Sequence, residues 1–174
     1  SNCEVADVDH FLHLAVAFRS DLAHLKRHEG TEFGLGGTEF LAEQVRAGKL
    51  RLRKLGKSAT FHDPCQLVRR GGAIEAPREV LQALGVELRE MYPTKGANWC
   101  CGGGGGVVAI HRADELRHKV FKIKMEQIEE TGAELPVTSC ANCRQTFDDG
   151  QAHFKWDKTM HSLLELVADN LVED

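Results

Sequence analysis

Apolar residues recur along this chain with two periods, and the alternation between them outlines the fold. Val8, Phe11, Ala15, Phe18, Leu22 and Leu25 step by three or four positions, so Val5 to His28 reads as a helix with one apolar face; Asp9, His13, Arg19, Asp21 and Arg27 occupy the other face. Glu29 to Gly37 is a glycine-rich loop. Thr38 to Ala47 reads as a second helix, with Thr38 as N-cap and Gly48 as its stop. Ser58 to His62 is a short strand-like run, broken by Asp63-Pro64 before Cys65. Pro77 to Leu84 reads as a helix stopped by Gly85, and Val86 to Met91 alternates as a strand does. Pro93 to Asn98 is a loop leading to Trp99-Cys100-Cys101 and a run of glycines, Gly102 to Gly106.

Ala113 to Thr131 carries the clearest helical pattern. Its apolar residues fall on two faces, Leu116–Val120–Ile123 and Phe121–Met125–Ile128, which predicts burial on two sides before Gly132 ends the helix. Leu135 to Thr138 is a strand running directly into Cys140-Ala-Asn-Cys143, and Leu163 to Leu171 is a last amphipathic helix. Strands alternating with helices predict a layered α/β fold with a mostly parallel sheet. A faint repeat is also present. Asn2-Cys3 mirrors Asn142-Cys143, and residues 38–45 resemble 161–167. On that reading residues 1–56 are an N-terminal helical segment, the tail of an earlier copy, and residues 57–174 are one cysteine-bearing domain.

Composition narrows the function classes. The chain has 174 residues, 42% apolar and 28% charged, with a net charge of −4. This suits a globular domain and argues against a general nucleic-acid surface. No apolar run approaches the ~20 residues of a membrane span, and the polar, acidic Ser1 to Asp9 does not resemble a secretory signal. The expected location is cytoplasmic, with any membrane association made through partners.

Five of the six cysteines fall into three groups: Cys65, Cys100-Cys101 and Cys140-x-x-Cys143. Thirty-four residues lie between the first two groups and thirty-eight between the last two. Each group follows a predicted strand or the loop after one, and in open α/β sheets ligands gather outside the carboxyl ends of strands. Five thiolates from three loops favour zinc or an iron–sulfur cluster over hard cations. Zinc needs four ligands, with His62 or His111 also eligible, and a cubane cluster needs four, so one thiolate is surplus to either. The glycines after Cys101 allow close backbone approach and offer N–H groups, which makes Gly102 and Gly103 candidate cofactor contacts. Buried structural cysteines, or a thioredoxin-like role for Cys140 and Cys143, leave the rest of the pattern unexplained.

Other features read more plainly. The glycine run lacks the Gly-Lys-Ser/Thr of a phosphate loop. His10, His13, His24 and His28 read as surface residues of the first helix. Two readings stay open for His62, a hydrogen bond to a cluster sulfur or packing beneath the loop; Asp63 reads as a turn cap. Arg117, His118, Lys119, Lys122 and Lys124 read as a solvated basic face, with docking of an acidic redox partner as the alternative.

The pattern of Cys65, Cys100-Cys101-Gly102 and Cys140-Ala-Asn-Cys143, with His62-Asp63-Pro64-Cys65, resembles the cysteine-rich CCG domain of heterodisulfide reductase-like and glycolate oxidase-like iron–sulfur subunits. The resemblance covers Lys57 to the C-terminus. It implies an electron-transfer or disulfide-reducing site in which Cys65, Cys100, Cys101, Cys140 and Cys143 bind a cofactor, a noncubane [4Fe-4S] cluster or zinc in its place. It also implies redox partners: a flavoprotein, a ferredoxin-type protein or a membrane cytochrome. The ferredoxin-type cysteine segments usual upstream in that family are not in this sequence, so the chain reads as a C-terminal part of an oxidoreductase subunit. No catalytic residue is assigned.

Overall fold

The computed structural model describes residues 36–172. The expected helix at Val5–His28, its four histidines and Cys3 lie outside them. Four strands form one parallel sheet: β1 (Ser58–His62), β2 (Glu87–Leu88), β3 (Leu135–Thr138) and β4 (His161–Ser162), in the order β2-β1-β3-β4. Every residue of β1 and β3 is buried, as expected of central strands covered on both faces. The helices are α1 (Gly37–Arg46), α2 (Ala76–Ala83), α3 (Asp114–Glu130), α4 (Ala141–Phe154) and α5 (Leu163–Asp169). The predicted layered α/β architecture is what the chain adopts.

The connections place the site. From β1 the chain passes through α2 to β2 on one side of the sheet. From β3 it passes through α4 to β4 on the other side. Neighbouring strands whose connections leave in opposite directions open a crevice at their carboxyl ends, the usual ligand position of such sheets. Here that crevice lies beyond His62 and Thr138, which are paired in register, with the Thr138 hydroxyl donating to the His62 carbonyl at 3.2 Å.

Several elements differ from the sequence reading. Gly36, not Thr38, caps α1, and its N–H donates to the Glu39 carboxylate at 3.0 Å while Thr38 is buried. The strand expected over Val86–Met91 is reduced to Glu87–Leu88, because the chain leaves the sheet where the Arg78 guanidinium binds Glu90. The 14-residue α4 was not legible at all. Its buried stripe is Cys143, Thr146, Phe147 and Gly150, with one large apolar residue among them. Gly150 leaves room for Phe121 of α3: a Cβ there would sit 2.4 Å from the ring. Phe121 in turn meets Phe147, Phe154 and Trp156 with ring centroids 5.4–5.9 Å apart.

α3 is buried on one side, not two. Phe121 and Ile128 are fully buried, whereas Leu116 and Ile123 are 63% and 39% exposed. The buried stripe continues through Arg117 and Lys124, which corrects the solvated-face reading of the basic stretch at those two positions. Their charged ends have polar partners inside the fold, which is the condition for burying them.

Candidate metal centre

Cys65 lies three residues beyond β1, just before a π-helical turn at Gln66–Arg70. Cys140 lies two residues beyond β3 and is the N-cap of α4 in extended conformation. Cys143 follows in the first turn of α4, so the C-x-x-C spacing brings one sulfur to the helix entry and the other onto its buried face. The unpaired N–H groups and positive dipole end of that helix face an anionic ligand set.

The third group arrives on the loop between β2 and α3. Cys101 is buried, with its sulfur 3.4 Å from that of Cys143. Cys100 is half-buried and its sulfur accepts from the Gly102 N–H at 3.3 Å. The two adjacent cysteines are thus unlike: one turns inward to Cys143, and the other, like Cys65 and Cys140, is only half-buried. His62 is the inner wall. A ring nitrogen of His62 and the sulfurs of Cys101 and Cys143 all lie within 4.8 Å of one another. His62 is 1% exposed, its Nδ1 has no hydrogen-bond partner, and its ring stands edge-on to Phe147 at 5.2 Å. His111 is fully exposed beside Asp114 and does not join this group.

The glycines act by close packing. Gly102 has φ +94°, and a Cβ there would lie 3.2 Å from Val120. At Gly103 a Cβ would lie 1.9 Å from the Thr146 hydroxyl, and the Gly103 carbonyl accepts from Asn142 Nδ2 at 3.0 Å. Both glycines are therefore required for the loop to reach α3 and α4.

A buried polar frame that the sequence reading missed holds the loop from below. Asp63, expected as a turn cap, is a buried carboxylate. It accepts from Arg78 Nη1 and Nη2, both at 2.9 Å, and from the Lys95 N–H at 2.8 Å. Its carbonyl accepts from Asn98 Nδ2 at 2.6 Å, and the opposite end of that amide, Oδ1, accepts from Lys124 Nζ at 2.7 Å. Arg69, four residues after Cys65, donates to the carbonyls of Gly96 and Asn98. The position of Lys124, three residues after Phe121 and four before Ile128, was the available signal for its burial.

The electrostatics suit a bound cationic group. Burial, reinforced by the Lys124 charge, pulls His62 down to about 3, so its ring is neutral and a competent donor. The hydrogen bond with Cys100 favours the Cys101 thiolate, but the Cys143 sulfur and burial outweigh it and push the Cys101 thiol up to about 11. The Cys101 sulfur and burial also push the Cys100 thiol well up. Thiols crowded this closely lose their protons readily only to a metal. A soft donor set, an unpartnered buried nitrogen and a loop seated by glycines fit a thiolate-bound metal or cluster.

Comparison with known proteins agrees. The CCG cysteine-rich domain matches residues 59–148. The chain is 36% identical over 136 residues to one subunit of the dihydromethanophenazine:CoB–CoM heterodisulfide reductase of Methanosarcina barkeri, covering 77% of this chain and 33% of that protein. It is 34% identical over 134 residues to a probable iron–sulfur-binding oxidoreductase of Bacillus subtilis, 73% of this chain and 19% of that one. With the EtfAB:quinone oxidoreductase of Syntrophomonas wolfei it shares 35% identity over 119 residues, 65% and 17% of the two chains. The chain thus spans a third or less of these relatives. Its fold, its three cysteine loops and the match over residues 59–148 agree: the chain belongs to the CCG cysteine-rich domain family.

Proposed function

We propose that the chain is an iron–sulfur-binding electron-transfer domain of a heterodisulfide reductase-like oxidoreductase subunit. Its ligands are Cys65, Cys100, Cys101, Cys140 and Cys143, with Gly102 and Gly103 seating the loop that carries the adjacent pair. The carrying observation is the meeting of two of the three cysteine groups, with the Cys101 and Cys143 sulfurs 3.4 Å apart beside the buried His62 ring. The relatives' names support the redox assignment: a heterodisulfide reductase subunit, an iron–sulfur-binding oxidoreductase and a quinone oxidoreductase.

The bound group supplies one-electron transfer, and this chain's residues supply its cage. Five thiolates exceed the four of a cubane, which favours a noncubane [4Fe-4S] cluster. Buried Cys101 and Cys143 and half-buried Cys65, Cys100 and Cys140 would hold it. The partner is another redox subunit, either a flavoprotein, a ferredoxin-type protein or a membrane cytochrome. Among the described residues no helix is long and apolar enough to cross a membrane.

Zinc is the second reading, favoured by the single nitrogen of His62 beside two sulfurs. Anaerobic reconstitution with iron and sulfide, followed by a visible spectrum and metal counts, separates the two. The cluster reading expects a brown protein with iron and sulfide in equal numbers. A colourless protein that takes up one zinc and no iron would overturn it.

A further inference from the structure

Lys124 is fully buried beneath the cysteine loop and is held there by neutral groups. Its Nζ donates to Asn98 Oδ1 at 2.7 Å and lies 3.8 Å from Met91 Sδ. Among the described residues it forms no ion pair with a carboxylate, whereas the other two buried cations, Arg78 and Arg117, each have carboxylate partners. Met91, which the ammonium touches, lies in one buried cluster with Cys101 and Cys143, with Cys100 packed against it, and the nearest carboxylate charge, Asp63, is already bound to Arg78. Asn98 cannot turn away, because its Nδ2 is committed to the Asp63 carbonyl and its own carbonyl to Arg69. A buried ammonium without a counter-ion is among the costliest arrangements in a core unless negative charge is nearby.

We propose that Lys124 is a positioning residue for electron transfer: a fixed positive charge behind Cys100, Cys101 and Cys143 that stabilises the reduced form of the iron–sulfur centre. The inference rests on the iron–sulfur reading above. Reduction brings one electron from the partner redox subunit and adds one negative charge to the site. An ammonium fixed in a poorly solvated interior attracts that charge far more than one in water. Lys124 thereby raises the reduction potential without touching the solvent-facing ligands.

The test uses the reconstituted chain and its Lys124→Met, Lys124→Gln and Lys124→Arg variants, titrated with dithionite in the presence of redox mediators. The neutral variants are expected to show at least a tenfold lower ratio of reduced to oxidised centre at a fixed potential. For a one-electron couple this is a shift of about 59 mV to more negative values. Lys124→Arg retains most of the wild-type potential. Loaded neutral variants with the wild-type potential would overturn the proposal. If neither neutral variant binds iron while Lys124→Arg does, the charge serves assembly of the centre and the role in its potential is overturned. Failure of all three shows that the position serves packing and overturns it. A wild-type chain that binds no iron and sulfide removes the underlying reading instead, so the two failures are distinct.

Discussion

Arg78 and Lys124 are buried cations that both touch one short segment, residues 93–98, yet their charges are met in opposite ways. Burial works against the charge of Arg78, but its hydrogen bonds to Asp63 and Glu90 outweigh that and carry it above its ordinary value. The guanidinium also lies over the Phe61 ring, 5.8 Å from the centroid. Lys124 has an amide oxygen in place of a carboxylate, and burial pulls it down to about 8 despite the attraction of Asp63 and the cysteines. The difference separates frame from function. Arg78 closes an ion pair within the protein and fixes the end of β1 to the loop that leads to Cys100. Lys124 is left with charge to offer, on the side where thiolates gather.

Breaking the closed pair has the largest expected effect. Arg78→Met strands Asp63 and Glu90 and should lower the stability of the metal-free chain by about 3–5 kcal/mol in urea unfolding. Loss below 1 kcal/mol would show that the pair is not part of the frame. The measurement is feasible because the sheet and helix core is largely independent of the cysteines, so the metal-free chain is expected to unfold cooperatively.

Next comes acid. His62 stays neutral in the fold down to about pH 3, against 6.5 for the free side chain. Between those values the unfolded chain binds more protons, so stability falls as pH drops from about 6.5 toward 3. The loss should be on the order of 3 kcal/mol between pH 7 and pH 4 in the metal-free chain. The difference between wild type and His62→Gln isolates it from the carboxylates. Because the Lys124 charge contributes to the lowered value, Lys124→Met should make the slope shallower. Identical slopes in wild type and His62→Gln would refute the assignment.

Smaller again is the backbone contact that seats the loop from the other side. Gly103→Ala forces a Cβ against the Thr146 hydroxyl and should cost ~1–3 kcal/mol while impairing metal uptake. Thr146→Ala in the same chain removes the hydroxyl and should restore much of that loss. Equal uptake in wild type and Gly103→Ala would show that the loop does not depend on this contact. The smallest effect is expected for Lys124→Met in the metal-free chain. Removing an unpaired ammonium offsets the loss of a partner for Asn98 Oδ1, and the net change stays within about 1 kcal/mol. A loss comparable to that of Arg78→Met would erase the distinction between the two cations.

How much of this the sequence disclosed follows from what each part depends on. The parallel sheet was legible because β1 and β3 are short apolar runs between helical patterns, and the cysteine loops because thiol spacing is itself chemistry. α4 escaped because its buried face is made of Cys143, Thr146 and Gly150 around a single Phe147; only packing against Phe121 makes it an inner helix. Lys124 escaped because a cation on an apolar stripe is read as an edge residue until its partner is known. That partner, Asn98, is 26 residues away in a loop without periodicity. The exposed Leu116 and Ile123 were misread for the converse reason: amphipathic spacing identifies a face without saying that anything covers it.

The five-thiolate site is tested most directly by counting iron and sulfide in six single Cys→Ser variants after anaerobic reconstitution. Serine is a harder, poorer donor to iron, so Cys65→Ser, Cys100→Ser, Cys101→Ser, Cys140→Ser and Cys143→Ser should each lose or convert the centre. Cys3→Ser, outside the motif, should keep the wild-type iron content and spectrum. Full iron content in the Cys100→Ser or Cys101→Ser protein would contradict a five-thiolate centre and leave a four-ligand site in its place.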